Sequence, residues 1–536
     1  MTTERTFVIV GASLAGAKAA ETLREEGFDG RIVLLGAESE RPYERPPLSK
    51  DYLRGETEAK PHVHPEAFYA ENGIELRTST TVTGIDPSAS AVAIGDGERL
   101  SYDRLLLTTG AEPRRLSVPG AELEGIHYLR ELADSEAIGD QLTAGTRVVV
   151  IGAGWIGAEV AASARERNCE VTLVEMAAVP LERVLGPEVG AIYRDIHTDH
   201  GVRFLGDTGL EAFEGAGRVE RVRTSSGETI DVDLVVVGVG VAPRVELAES
   251  AGINVENGIL VSEQLESSLP GVFAAGDVAN AHHPLFGQRI RVEHWANALE
   301  QGPAAARSML DKGGPYDKIP YFFSDQYDVG MEYGGYATSW DEVVFRGDVK
   351  GREFIAFWFE GGRVVAGMNV NVWDVNERIQ TLIRSRTPVD AKRLADPDVP
   401  LEELASGERP AAEERSGGSG PPQGFLAQGV NFAKRFVAAR MAKPDATPVS
   451  ELRNGEAKVI GVDGERVAAY RDDNGALHAV SAVCTHMGCL VEWNQDEETW
   501  DCHCHGSRFE PSGRVINGPA KKDLVQKQLQ DPSERS

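Results

Sequence analysis

Short runs of β-branched and aliphatic residues alternate with Ala-, Glu- and Arg-rich stretches from Thr6 to about Asp396. That rhythm predicts parallel α/β units. The first run, Phe7-Val8-Ile9-Val10, follows the charged Arg5 and breaks into a glycine turn, which predicts a strand rather than the apolar core of a signal peptide. Residues 8–35 and 148–175 share one pattern of strand, glycine turn, helix and strand, an internal duplication. After Asp396 the composition changes, and residues 407–424 read GERPAAEERSGGSGPPQG. A flexible tether is expected from 396 onward. Leu426, Val430, Ala433, Val437 and Met441 then recur at helical spacing beside Lys434, Arg435 and Arg440. A linker helix docked on a domain and a helix lying on a membrane surface both fit this pattern. From Thr447, short alternating runs and the turn Asp472-Asp473-Asn474-Gly475 predict a small all-β module.

A chain of 536 residues divides into three or four domains of ordinary size. Its 41% hydrophobic and 26% charged residues are the usage of soluble globular proteins. The net charge of −29, from 55 Lys+Arg against 84 Asp+Glu, argues against a nucleic-acid partner. No run of about 18 apolar residues occurs, so no membrane span is expected and the location is expected to be cytoplasmic. Cysteine changes the picture more. Of five cysteines, Cys484, Cys489, Cys502 and Cys504 fall close together near the end, which points to a metal rather than a disulfide scaffold. Cys169 stands alone and reads as a small buried hydrophobe.

The first glycine turn carries Gly11, Ser13 and Gly16 at G-x-S-x-x-G spacing, between a strand and a helix. Glycine there lets the backbone approach a pyrophosphate at the helix N-terminus; Ser13 replaces the middle glycine and adds a Cβ on that path. The acid expected about 20 residues on is Glu38, just past the strand end. The second turn, Gly152, Gly154 and Gly157, is complete, and Glu175 closes the next strand. A carboxylate there accepts from an adenosine ribose and repels a 2′-phosphate, which selects NAD over NADP.

On these and further motifs the region 6–395 resembles the ferredoxin reductases of bacterial oxygenase systems and the related apoptosis-inducing factor, which are two-dinucleotide-binding flavoproteins. The motifs are PYERPPLSK (42–50), LLLTTGAEPR (105–114), VFAAGDVA (272–279), RVEHWANALEQG (291–302) and FFSDQYD (322–328). The resemblance implies an FAD-binding domain from 1–115 and 242–320, an NAD-binding domain at 116–241 and a C-terminal interface domain at 321–395. It implies FAD contacts at Arg45, Lys50, Thr109, Gly110, Gly276, Asp277, Glu293, His294 and Trp295. Asp277 would bond the ribityl hydroxyls, Lys50 would sit at the flavin N5/O4 edge, and Trp295 would pack beside the ring. The helix starting there would aim its positive end at the flavin. Glu159 matches a carboxylate close to the nicotinamide; a surface glutamate in a first helical turn is the competing reading. Lys50 as a solvated loop lysine competes likewise. Residues 1–168 contain no cysteine, so hydride on the flavin has no dithiol to leave through, unlike in the disulfide reductases of this superfamily.

The C-terminal motif is Cys484-Thr485-His486-Met487-Gly488-Cys489, followed by Cys502-His503-Cys504-His505-Gly506-Ser507. It resembles the Rieske family, whose centre holds one iron by two thiolates and the other by two imidazoles. The resemblance implies Cys484 and Cys502 on one iron and His486 and His505 on the other. Cys489 and Cys504 take the places of a disulfide that ties the two loops together. A zinc site is the bland competitor. GRVINGPA (513–520) resembles the family's proline loop, and Phe509 stands where high-potential members carry a tyrosine that, with a serine matching Ser507, hydrogen-bonds the cluster sulfurs. A Rieske oxygenase would need a second iron on two histidines and a carboxylate. Only Asp195, His197 and His200 offer that spacing, and they read as a polar surface face of a helix.

The expectation is therefore an α/β flavoprotein, with a tether and linker helix at 396–446 and an all-β Rieske domain at 447–536. NADH would reduce FAD, and FAD would pass single electrons to the [2Fe–2S] cluster and on to an oxygenase, cytochrome or similar acceptor. A homodimer is compatible with the resemblance. An NADH-responsive redox sensor or scaffold like apoptosis-inducing factor is the alternative. A third reading, a partner of a nitrite reductase, lacks the sirohaem-binding cysteines.

Overall fold

The computed structural model describes residues 5–57, 59–95, 97–373, 375–405, 452–462, 465–472, 475–484, 491–494, 499–502, 507–517 and 523–527. The chain forms two compact units, Met1–Gly424 and Phe425–Ser536.

In the first unit, β1 (Thr6–Val10) leads through α1 (Leu14–Glu25) to β2 (Arg31–Leu35). β1 and β2 pair in parallel from Thr6↔Arg31 to Val10↔Leu35. Parallel strands are covered on both faces, which is why these runs are apolar without alternation. The turn after β1 needs its glycine: Gly11 has φ 116°, and a Cβ there would stand 2.1 Å from Thr108 O. The duplicate is β3 (Arg147–Ile151), α2 (Trp155–Glu166) and β4 (Glu170–Val174), with β3 and β4 paired from Arg147↔Glu170 to Ile151↔Val174. A Cβ on Gly157 would meet Gly152 O at 1.9 Å, so α2 packs directly on the turn it leaves.

The first sheet runs Val272–Ala274, Arg104–Leu107, β1, β2, Ile74–Arg77. The second runs Arg203–Leu205, β4, β3, Leu234–Val237, Ile126–Tyr128. The chain thus leaves the first sheet, builds the second, and returns to finish the first with residues 272–274. An antiparallel five-stranded sheet follows, in the order Tyr321–Gln326, Val329–Gly335, Arg363–Val370, Glu353–Glu360, Glu342–Asp348. One of its faces packs Tyr333 and Trp358 against Leu185 and Tyr193 of α3 (Glu182–Asp199), which is kinked at Gly186. Trp358 Nε1 donates to Leu185 O at that kink (3.1 Å).

Two expectations need correction here. The tether expected from 396 still contains the helix Leu401–Ala405. Leu401 and Leu404, spaced one turn apart, are each 4% exposed in a core with Ile379 and Leu382, a burial worth roughly 1.5–3 kcal/mol per leucine. The acidic residues between them disguise the pattern in the sequence. The second correction concerns Asp195, His197 and His200. They do not form a surface face: His197 is fully buried, and its Nδ1 shares a hydrogen bond with Tyr327 OH (3.0 Å). His200 stacks on the same tyrosine with centroids 3.8 Å apart.

The second unit contains a three-stranded antiparallel sheet, Ala457–Val462, Glu465–Arg471 and Leu477–Ser481, and a four-stranded one, Glu492–Asn494, Thr499–Cys502, Ser507–Phe509 and Val515–Asn517. Cys484, Cys502, Trp500 and Phe509 share one core, and Cys502 faces Ser507 across the strands. The amphipathic stretch 426–441 lies outside the described residues. Among the described residues no helix is long and apolar enough to cross a membrane.

Burial pushes the His197 imidazole down to about 4. Between pH 6.5 and 4 the folded chain therefore binds fewer protons than the unfolded one, and stability falls as pH falls through that window, by about 3 kcal/mol for this group. His294, pushed to about 4 by burial, adds a loss of the same sign. Urea unfolding at pH 7, 6 and 5 should show His197→Gln with a shallower acid-side decline than wild type. An identical decline would mean that the imidazole titrates alike in the folded and unfolded chain.

Candidate functional site

Both glycine turns open into one cleft of about 1740 Å³, lined from one side by Gly11, Ser13, Thr109 and Gly110 and from the other by Gly152, Gly154 and Glu175. Gly16 and Gly157 stand behind the lining, where they let each helix close on its turn. Ser13 and Gly154 are the N-caps of α1 and α2, and neither helix is capped by a side-chain hydrogen bond. The first-turn N–H groups and the positive dipole ends of two 12-residue helices are thus offered to the cleft.

On the first side Glu38 does not stand alone. It accepts from Tyr43 OH and from Arg45 Nη2 (2.7 Å), while Arg45 also donates to Arg130 O. Arg130 donates to Asp277 Oδ2 (2.9 Å). Burial lowers the Arg130 pKa first, repulsion from Arg45 adds to it, and Asp277 opposes both. The two guanidiniums are therefore held against their own repulsion, an arrangement that suits an anion. Arg130 was not among the residues expected from sequence; its only signal is an arginine just after the strand Ile126–Tyr128. Thr109 Oγ1 donates to Arg244 O (2.8 Å), and Gly276 N–H donates to Gln301 Oε1 (2.9 Å). Glu293 pairs with Arg291 (2.5 Å).

His294 is the N-cap of α4 (Trp295–Met309), 4.3 Å between centroids from Phe322. Trp295 stands edge-on to Phe323 at 6.0 Å. Burial pushes the Glu44 carboxyl up to about 7, against the pull of Lys18 and Trp295.

On the second side the Glu175 carboxylate accepts from the N–H of Ala153 (2.6 Å) and of Ala177 (3.0 Å). It is anchored to the glycine turn itself, with the side chain of Met176 beside it 79% exposed.

Glu159 corrects the surface-glutamate reading: it is 5% exposed. Ser49 Oγ donates to its Oε2, Ser324 Oγ to its Oε1 (2.7 Å), and Lys50 Nζ lies 3.0 Å from Oε1. Lys50 is no solvated lysine either. It is 9% exposed and stands over the Phe323 ring at 5.2 Å. Lys50, Glu159, Trp295 and Phe323 all line the cleft; a cation, a carboxylate and two aromatic faces converge between the two dinucleotide turns.

In the second unit Cys484 and Cys502 are 2% and 1% exposed in the same core, with Ser507 buried opposite Cys502. Two buried thiols thus share one core, with a buried hydroxyl opposite one of them. His486, His505, Cys489 and Cys504 lie outside the described residues.

Two dinucleotide-binding units in one chain, sharing a cleft whose cations and helix ends suit phosphates, define a two-dinucleotide-binding flavoprotein. The chain belongs to the pyridine nucleotide-disulphide oxidoreductase family, whose model matches residues 5–302. A reductase C-terminal domain matches 321–405 and a Rieske [2Fe-2S] domain matches 443–528. The chain is similar to putidaredoxin reductase of Pseudomonas putida, 39% identical over 74% of this chain and 96% of that protein. It is also similar to the ferredoxin–NAD(+) reductase component of the anthranilate 1,2-dioxygenase system of Burkholderia cepacia, 40% identical over 74% and 98%. Among solved structures, the covalent putidaredoxin reductase–putidaredoxin complex matches with TM-score 0.72 and 38% identity, covering 76% of this chain and 99% of that one. The chain is an NADH-dependent flavoprotein oxidoreductase whose cofactors are FAD, NAD(H) and a [2Fe–2S] cluster.

Because Glu175 is locked to the turn as a negative charge, kcat/KM for NADH should exceed that for NADPH by roughly a hundredfold, and Glu175→Gln should narrow the gap. Steady-state assays with both donors check this. Equal values in the wild type would remove Glu175 from donor selection.

Proposed function

We propose that this chain is a self-contained electron-transfer reductase. The flavin part, 1–115 with 242–320, and the nicotinamide part, 116–241, pass electrons from NADH to the chain's own Rieske cluster and then to an oxygenase, cytochrome or similar acceptor. The observation that carries it is the fusion in one chain of a ferredoxin–NAD(+) reductase-like flavoprotein with a Rieske domain, with no cysteine in residues 1–168. Relatives of the flavoprotein part serve dioxygenase systems by name, such as that for p-cumate in Pseudomonas putida, which favours an oxygenase as acceptor. No comparison favours the sensor reading. A cytoplasmic location fits an NADH donor.

When bound, FAD would supply the conversion of a two-electron hydride into single electrons, and the cluster a one-electron carrier. Arg45 and Arg130, with the α1 N-terminus, hold the FAD pyrophosphate, and Asp277 holds its ribityl hydroxyls. The α2 N-terminus holds the NADH pyrophosphate, and Glu175 the adenosine ribose. Lys50 and Glu159 orient the nicotinamide and the flavin edge, and Trp295 packs beside them. Cys484, His486, Cys502 and His505 hold the cluster, with Cys489 and Cys504 tying its loops together.

Stopped-flow mixing of the full chain with NADH, following flavin and cluster absorbance separately, tests the reading. Flavin should bleach first and the cluster after it. Cys484→Ser should keep FAD and NADH-dependent bleaching but contain neither iron nor acid-labile sulfide. Loss of FAD with the cluster, or a cluster that NADH leaves oxidised, would contradict the proposal.

Phe509 is fully buried in the core that holds Cys484 and Cys502. Hydrogen bonds to cluster sulfurs tune potentials within the roughly −150 to +300 mV Rieske range, so Phe509→Tyr should raise the potential. Redox titration read by EPR decides, and an unchanged or lower value would place that ring away from the cluster.

A further inference from the structure

Ser324 lies in Tyr321–Gln326, the first strand of the C-terminal sheet, two residues after Phe322. Strand residues two apart share a face, and helix residues four apart share a face. Here the two periods meet: Phe322 packs on Trp155 of α2 with centroids 4.8 Å apart, and Ser324 bonds Glu159, one turn further along α2. Ser324 is 2% exposed and is not part of the cleft lining, so it reaches no substrate.

The direction of its hydroxyl is fixed by its neighbours. Gln326, 1% exposed, donates from Nε2 to Ser324 Oγ (3.2 Å). The single hydroxyl hydrogen is left for Glu159 Oε1. That oxygen also faces Lys50 Nζ, and Oε2 accepts from Ser49 Oγ. The Glu159 carboxylate is thus held by donors from the loop 46–50 on one side and from the C-terminal sheet on the other. Ser49 is held in turn, since its carbonyl accepts from Ser163 Oγ (2.7 Å) on α2. Remove the Ser324 hydroxyl, and Oε1 keeps only the lysine, whose long side chain fixes a direction poorly.

We propose that Ser324 is a positioning residue for hydride delivery: acting through Glu159, it sets the orientation of the Lys50–Glu159 pair that meets the nicotinamide. This role rests on the reductase reading above, and it gives the C-terminal sheet a part in the flavin chemistry. Displacements of about 1 Å cost up to roughly a hundredfold in rate, and one lost hydrogen bond to a charged group accounts for about tenfold.

The test uses the full chain loaded with FAD and cluster, as wild type, Ser324→Ala and Ser324→Thr. Three quantities are measured: flavin bleaching at saturating NADH, the long-wavelength absorbance of NAD+ bound against reduced flavin, and melting temperature with FAD content. Ser324→Ala should bleach about tenfold more slowly, with a weakened or shifted long-wavelength band, while KM and FAD content stay within about twofold. Ser324→Thr, which keeps the donor, should recover to within about threefold of wild type. Wild-type bleaching and an unchanged band in Ser324→Ala would overturn the role. So would slowing that accompanies FAD loss and that Ser324→Thr fails to repair, because that is the signature of packing alone. Wild-type flavin that NADH does not bleach would instead overturn the reductase reading, and this role with it.

Discussion

A buried carboxylate needs donors, and in this protein no single part of the chain supplies them all to Glu159. The buried residues of α2 are otherwise Gly157, Ala158, Val160, Ala161, Ala162 and Ala164, and the hydroxyl of Ser163, one turn on, is already given to Ser49 O. Leaving such a charge unpaired costs several kcal/mol. The penalty is avoided only when loop 46–50 and the strand Tyr321–Gln326 both close on α2, bringing Ser49, Lys50 and Ser324. The same closure buries Lys50 over Phe323 and brings Trp295 edge-on to that ring. The geometry between the two dinucleotide turns therefore follows from satisfying one side chain. That explains why the cluster between the two turns is assembled from segments more than 100 residues apart.

The pyrophosphate side obeys a different balance. The chain as a whole is strongly acidic, with net charge −29, yet Arg45 and Arg130 are concentrated where the uncapped α1 N-terminus already carries positive potential. Glu38 and Asp277 pair with these cations one to one and keep them in place. What the cleft offers an anion is therefore local, the N–H groups of two arginines beside an uncapped helix N-terminus, and not an excess of positive charge over its whole lining.

How much of this was legible in the sequence follows from how local each signal is. The two strand–turn–helix–strand units were legible because glycine spacing and unbroken apolar runs lie within 28 residues, and the registers of β1 with β2 and β3 with β4 follow. Glu175 was legible for the same reason. Glu159 read equally well as a surface residue because its partners Ser49 and Ser324 stand 110 and 165 residues away. His197 was misread because Asp195 and Asp199 mark a polar face, while Tyr327, which covers it, lies 130 residues later. Arg130 carried no pattern, since an isolated arginine after a strand gains meaning only beside Asp277. The cysteine and histidine types announced a cluster, but of the residues expected to hold it only Cys484 and Cys502 lie among the described residues.

The electron count constrains what such a fusion has to do. NADH yields two electrons as a hydride, and a [2Fe–2S] centre takes one. On the electron-transfer reading, each NADH must load the cluster twice: one NADH and two oxidised clusters give NAD+, one proton and two reduced clusters. With one cluster per chain, the second electron leaves the flavin only after an outside acceptor has taken the first. A separate ferredoxin solves this by exchanging molecules; a tethered cluster has to be emptied where it is. On that reading the external acceptor would be part of the catalytic cycle rather than a sink at its end. The proton from the hydride must also leave a site whose polar groups, Lys50, Glu159 and Ser49, are themselves largely buried. On the same reading these groups would meet both the incoming hydride donor and the outgoing proton. It is a physical reason for the site to hold a cation–carboxylate pair rather than an apolar contact of the same shape.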